Sequence, residues 1–368
     1  MSKAAELAAL IGSQTALSDR NMIINGAMQC WQRATAATAA ANSYSTVDRF
    51  YMNKSNDGAY TTEQSTDTPT GAGFSLKAQV TTADTSISSA QYAYIHQNIE
   101  AQNLQRLQYG TSNAKNITLS FQVKSNKTGT YTIVVRKFDT TTYHLVIEYT
   151  INSANTWEKK EITISPTAGS TSLITASGGA IANDNGTGFQ IGWNLAFGSN
   201  FNGATNNTWS SNTSHYATSN QVNWMDSTSN NFYLTQVQLE LGEQATPFEH
   251  RSFGDELLRC QRYFYSHVSG NEETIANAAA YSSTQVFGTL HFPVSMRITP
   301  SLAAANGTNY YRFYRNGSNT DFDEFGFNDR SKNSMTIYKA GLSGLTAGHS
   351  GWLVTNNASA SLTFDSEL

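Results

Sequence analysis

The sequence predicts an all-β fold: a large antiparallel jelly-roll β-sandwich followed by a smaller C-terminal β domain, with a short N-terminal helix and a short linker helix. Three observations predict it. Charged residues are only 14% of the chain, against about 25% in an average globular protein, and Thr, Ser, Asn and Gln stand in their place. Thr and the aromatics suit a pleated surface, and Asn, Ser and Gly suit turns. Short runs of alternating hydrophobicity, broken by turn residues, recur from Asn21 to about Glu249, as in a sandwich. Finally, 368 residues exceed the ~250–300 at which one hydrophobic core stops growing.

Taken in order, Lys3–Ile11 is apolar on nearly every side, with Lys3 and Glu6 its only charges. It reads as a helix that must dock, so residues 1–20 are expected to serve attachment or oligomerisation. In Asn116–Ser125 the residues Ile117, Leu119, Phe121 and Val123 alternate inward. The turn Asn126-Lys127-Thr128-Gly129 leads into Thr130–Phe138, and Tyr143–Ile151, Trp157–Ile164, Phe189–Phe197 and Phe232–Leu241 follow as strands. The polar stretches Ser199–Gly203 and Asn206–Ser214 read as loops, where a rigid sandwich carries its binding residues. Pro247 marks a boundary, which gives a sandwich domain over 21–250 and a C-terminal domain over 251–368. Asp255–Tyr265 reads as a helix, and strands are expected at Thr284–Phe292, Tyr310–Tyr314, Ser334–Tyr338 and His349–Thr355.

Charge and motif content exclude several functions. The net charge is −4 and no stripe of Lys or Arg offers to neutralise phosphates, so no nucleic-acid partner is expected. No run approaches the ~20 apolar residues of a membrane span, and a soluble product of a bacterial cytoplasm is expected, without membrane insertion. Cys30 and Cys260 have no metal-ligand spacing; both reduced or paired with each other are open alternatives. Gly-x-Ser-x-Gly, paired-His metal and phosphate-loop motifs are absent, and no cofactor is expected. Asp321, Asp323 and Glu324 cluster in a stretch that reads as a solvated loop, so no acid pair for glycoside hydrolysis stands out. Catalysis is therefore not expected.

The stretch Asn21–Arg33 (NMIINGAMQCWQR) with Val47-Asp48-Arg49-Phe50 resembles the opening of phage tail-fibre and virion structural proteins. Thr118–Lys124 (TLSFQVK), Gln236–Gly242 (QVQLELG) and Thr246–Arg251 (TPFEHR) are similar to the same group, and to the jelly-roll sandwich of carbohydrate-binding modules. Leu258–Tyr265 and Phe292–Pro300 resemble the small C-terminal domain of such fibres. The resemblance implies a virion location, a homotrimer, contacts with other virion proteins and recognition of a host cell-surface glycan. The alternatives are a decoration or bridging protein of the particle and, third, a polysaccharide depolymerase. It also implies where a structural calcium would sit. Gln29 and either Gln236 or Gln238 stand at those places, and neutral ligands hold a hard cation weakly, so no metal is expected.

A sugar platform needs an aromatic face and nearby amides. Trp209 and Trp224, set among polar neighbours, with Trp193, Tyr216, Asn207 and Asn212, are the residues expected to form it, while Trp31 and Trp157 are assigned to the core. The C-terminal domain crowds aromatics at Tyr263–Tyr265, at Tyr310, Tyr311, Phe313 and Tyr314, and at Phe322, Phe325 and Phe327. A small sheet covers one face only, so symmetry-related copies are expected to cover the other.

Overall fold

The computed structural model describes residues 19–37 and 42–368. The helix expected at Lys3–Ile11 lies outside them. The chain divides into two compact units, the first ending at Glu256 and joined by Leu368, the second spanning Leu257–Glu367.

The first unit is an antiparallel jelly-roll sandwich. One sheet has six strands in the order β1 (Ala36–Ala37), β3 (Ala59–Ser65), β4 (Ser75–Thr82), β11 (Asn231–Leu241), β6 (Ile117–Ser125) and β9 (Glu158–Ile164). The other has five, in the order β2 (Tyr51–Lys54), β5 (Tyr92–Glu100), β10 (Thr187–Phe197), β7 (Gly129–Lys137) and β8 (Tyr143–Ile151). Each strand sends alternate residues between the sheets, as the pleat requires. Ile117, Leu119, Phe121 and Val123 of β6 meet Ile133 and Val135 of β7 and Ile191 and Trp193 of β10 in one core.

The opening motif is not a strand; it is a polar knot. The Asn25 amide donates to the Cys30 and Asp48 carbonyls at 2.9 and 3.1 Å, while its Oδ1 accepts from the Gln29 and Cys30 N–H groups at 2.8 and 3.0 Å. Asn25 sits at φ 60°, a left-handed conformation that Asn tolerates. Gly26 follows because a Cβ there would lie 2.0 Å from the Val237 carbonyl oxygen of β11. Asn21 likewise donates to Val237 O and accepts from the Ile23 and Leu239 N–H groups. The closing motif locks onto this knot: Glu249 accepts from the Asn21 N–H at 2.8 Å, and Arg251 donates to Ile23 O and to Asn21 O. Gln238, at one of the places where the resemblance implies a calcium ligand, accepts from the Glu249 N–H at 2.8 Å and donates to Glu240 at 2.7 Å. Motifs more than two hundred residues apart are thus the two halves of one buried network.

The division between units falls within helix α1 (Phe253–Gln261). The helix expected to reach Tyr265 stops earlier, because Phe264 opens strand β12 (Phe264–Ser269), which pairs with β21 (Ser361–Asp365). In the second unit β12, β21 and β15 (Ser301–Ala304) form a three-stranded sheet. A seven-stranded sheet runs in the order β17 (Ser318–Phe322), β16 (Tyr311–Arg315), β20 (Ser350–Thr355), β13 (Thr274–Ala280), β14 (Val286–His291), β19 (Ser334–Lys339) and β18 (Gly326–Asn328). Tyr311 and Phe313 face its core with Leu353, Ile337 and Phe364. Within the aromatic run Tyr311 and Phe313 thus face inward, leaving Arg312 and Tyr314 on the outer face. Cys30 and Cys260 are buried and not joined in a disulfide.

Candidate functional site

Three of the expected platform residues are core. Trp193 is fully buried on β10 between Phe50 and Phe121. Trp224 is fully buried with its indole N–H on the Asn231 carbonyl at 3.0 Å. Trp209, 1% exposed, donates to the Ser165 carbonyl at 2.8 Å and borders only a narrow hollow of about 120 Å³ beside His144 and His215. Polar neighbours misled here: a Trp in a polar loop folds its ring inward to shed apolar area and satisfies its one donor on a carbonyl. Asn207 and Asn212 are exposed, but Asn212 is engaged with His215 and with the Ser214 N–H. Trp157, assigned to the core, is half-buried on the outer side of the six-stranded sheet against Tyr233 and Lys124. Trp31 is half-buried and packs against the core.

Of the expected set only Tyr216 enters a cleft, and it does so with residues that were not singled out. On β5 the residues Ala93 and Ile95 point to the core, so Tyr92, Tyr94 and His96 stand on the outer face of the five-stranded sheet. Tyr92, Tyr94, Phe197, Phe201 and Tyr216 line a cleft of about 240 Å³ together with Asn53 and Arg136. Tyr216 comes from the long connection between β10 and β11. That connection is pinned to the sheet by Asn194, whose amide donates to the Tyr216 carbonyl at 2.7 Å and to Thr132 Oγ1 at 2.8 Å. The Tyr216 and Ala217 N–H groups both reach Phe201 O.

The rings form a rank. Tyr92 stacks on Phe197 (5.9 Å, 23°) and Phe197 on Tyr216 (5.6 Å, 16°), with Phe201 edge-on to all three. Tyr94 leans on Phe197, and its hydroxyl accepts from the Asn53 amide at 3.0 Å. Arg136 lies over Tyr216, 5.0 Å from the ring centroid. It donates through Nε to His144 Nε2 at 3.0 Å and through Nη1 to Gln190 at 2.9 Å, and bonds no carboxylate among the described residues. Because His144 accepts on Nε2, its proton sits on Nδ1, which donates to the His215 carbonyl at 3.0 Å. Burial, and then the charge of Arg136, push His144 down to about 4 and His96 down to about 3. Both imidazoles are neutral at pH 7, so Arg136 is the cleft's charge. Burial raises the Tyr94 and Tyr216 phenols, which keep their protons.

The lining holds aromatic faces, phenol hydroxyls, an amide and a guanidinium, with no Asp or Glu. Such a cleft can stack a ring and hydrogen-bond hydroxyls. It carries no acid–base pair. The three clustered carboxylates of the second unit are committed elsewhere: Asp321 lies on β17, not in a loop, and pairs with Arg312 at 2.5 and 2.9 Å, Asp323 accepts from the Asn309 N–H, and Glu324 pairs with Lys339. Among the described residues no group of three or more His, Cys, Asp or Glu could hold a metal ion. The missed signal was the alternation Tyr92–Tyr94–His96, a polar-aromatic stripe at strand period opposite Ala93 and Ile95.

No family model matches the chain, and no curated protein matches it. Among solved structures it is similar to the family 11 carbohydrate-binding module of a cellulosomal cellulase of Clostridium thermocellum, with 12% identity, 58% of this chain and 100% of that one covered, and a TM-score of 0.29. It is similar also to the tandem CBM22 domains of Paenibacillus barcinonensis Xyn10C (7% identity, 90% and 95% covered, TM-score 0.26). A third is the enzymatically active domain of bacteriophage CBA120 tailspike protein 4 (12% identity, 60% of this chain and 21% of the tailspike chain, TM-score 0.30). What the cleft can hold follows from its own geometry.

Proposed function

We propose that the first unit binds a glycan without cleaving it, one sugar ring lying in the cleft formed by Tyr92, Tyr94, Phe197, Phe201 and Tyr216. The observation that carries this is the rank of near-parallel rings beside Arg136 and Asn53, on the one sheet face that the long connection leaves partly open. Ring faces receive the C–H side of a pyranose, and the guanidinium and amide donate to its hydroxyls. A volume of about 240 Å³, below the ~300–1,000 Å³ of drug-sized sites, suits a single ring of a longer chain. Titration calorimetry with oligosaccharides of neutral and acidic hexoses tests it. Tyr92→Ala and Tyr216→Ala are each expected to weaken binding about tenfold, the worth of one ring stack, while the thermal transition stays. Binding unchanged in both variants, or no saccharide bound, sinks the reading.

The resemblance of the opening and closing motifs to tail-fibre proteins supports display on a phage virion, with the glycan on the host surface and the chain assembled as a homotrimer. Light scattering on the purified chain should then give a mass about three times 40.1 kDa, as expected of closed rotational symmetry. A monodisperse single-chain mass that persists at high concentration excludes the trimer.

A further inference from the structure

The sixth tryptophan is the exposed one. Trp352 on β20 is 47% exposed, which is unusual for a residue whose ring is ordinarily well buried. Its strand neighbour Leu353 is fully buried, so the Trp352 ring stands on the outer face of the seven-stranded sheet. The register places it directly opposite Tyr314 of β16 on one side and Asn277 of β13 on the other. Tyr314 is in turn opposite Asn319 of β17. Directly opposed residues share a face, so four adjacent strands present one row: Asn319, Tyr314, Trp352, Asn277. Three interstrand steps of about 4.8 Å make it ~14 Å long.

The row is held ready rather than loosely displayed. Tyr314 and Trp352 stack at 5.3 Å and 28°. The Tyr314 hydroxyl accepts from Arg312 at 3.1 Å, and Arg312 is fixed by both oxygens of Asp321. At the row's edge the hairpin Asn316–Gly317, at φ 41° and 72°, turns the chain back and leaves a hollow of about 400 Å³ bordered by Tyr314, Trp352, Ser318 and Asn319. The Asn277 and Asn319 amides and the Trp352 indole N–H make no hydrogen bond to any described residue. Of the neighbouring charges, Arg312 is paired with Asp321, and Arg315, which also borders the hollow, is buried with its guanidinium on Thr320 and the Gly344 carbonyl.

We propose that this row is a second saccharide platform, independent of the cleft in the first unit, and that it takes an uncharged hexopyranose chain. Two stacked aromatics offer the ring faces, and uncommitted amides at each end bond hydroxyls. The four residues of the row carry no charge of their own, which favours a neutral chain over an acidic one. In the cleft, by contrast, Arg136 lies over a ring of the platform itself.

Tryptophan emission reads the site directly. A full-length chain carrying Tyr92→Ala and Tyr216→Ala, which silence the cleft, is titrated with glucan, mannan and galactan oligosaccharides and with oligogalacturonate. At least one neutral probe is expected to shift the emission, with Trp352→Ala abolishing the shift and Tyr314→Ala weakening affinity about tenfold. Trp352→Tyr should retain binding, and both Trp352 variants should melt as their parent does, because that ring is exposed. Three results overturn the proposal. One is a response to no neutral probe or only to oligogalacturonate; the second is binding indifferent to Trp352→Ala. The third is light scattering in which Trp352→Ala alone dissociates the chain, which would make this face a contact between copies. Since the cleft is silenced throughout, failure here leaves the first-unit reading untouched.

Discussion

Asn25→Asp will lower the midpoint of the first unit's cooperative thermal unfolding by roughly 6–20 °C. The change is isosteric, so no cavity or clash arises; what changes is the sign of two hydrogen bonds. The amide nitrogen that donates to Cys30 O and Asp48 O becomes an oxygen facing two carbonyl oxygens. Asn25 is fully buried, so a carboxylate there must either stay charged without a counter-ion or take up a proton. Burial already raises the nearby Asp48 carboxyl, and a second acid would find the same unfavourable surroundings. Turning two donated bonds into oxygen–oxygen contacts, although Cys30 O keeps the Asp48 N–H, and burying an unpaired charge together cost about 3–5 kcal/mol, and 1 kcal/mol moves the midpoint about 2–4 °C in a domain of this size. Differential scanning calorimetry checks it, with Asn113→Asp as the control, since that side chain is exposed. A midpoint within about 2 °C of wild type would mean that the knot is not what holds the opening segment.

Trp224→Ala is the second large effect, expected to cost about 3–5 kcal/mol, the usual penalty for emptying a fully buried aromatic site. Its ring meets Tyr60 edge-on at 5.8 Å, and its indole N–H satisfies the Asn231 carbonyl at the start of β11. Removing it leaves a void in the core and takes one of two donors from that carbonyl, which keeps the Ser125 hydroxyl. Urea denaturation followed by circular dichroism should show a lowered midpoint with an unchanged slope, the signature of lost stability with the fold retained. The contrast with Trp352→Ala is the informative part. The same deletion at a ring that is 47% exposed should leave stability nearly as it was and act on binding instead.

The class of fold and most of the sandwich strands were legible because strand periodicity is local. Tyr143–Ile151 is a strand with the boundaries read from its pattern, and β6, β7, β9, β10 and β11 differ from their expected spans by one or two residues. Strands β1 to β5 and, in the second unit, β12, β13, β15, β17, β18 and β21 were not read individually, because segments such as Thr274–Ala280, rich in Ala, carry little apolar contrast and acquire their faces only by pairing. Helix α1 was placed too long because the run Tyr263–Tyr265 continues an apolar pattern that β21 captures into a sheet. For the site the failure was sharper. Exposure was inferred for Trp209 and Trp224 from the company they keep in the chain, and a ring's burial is set by what folds over it from elsewhere.

The sequence by itself determined that the chain is all-β, that its sheets are antiparallel and sandwich-forming, and that long polar connections would lie between the later strands. Those properties follow from residue-by-residue preferences and a period of two, which need no partner to be read. Only the tertiary structure decided which aromatics bury and which present a face. It brought Tyr92 and Tyr94 of one strand, Arg136 of another and Tyr216 of a distant connection to a single cleft. It also set Trp352 between Tyr314 and Asn277, strands that lie far apart in the chain. The physical reason is that a side chain's exposure is a property of the pairing register and of the segments laid across it, and both are fixed by contacts between residues that the chain order keeps apart.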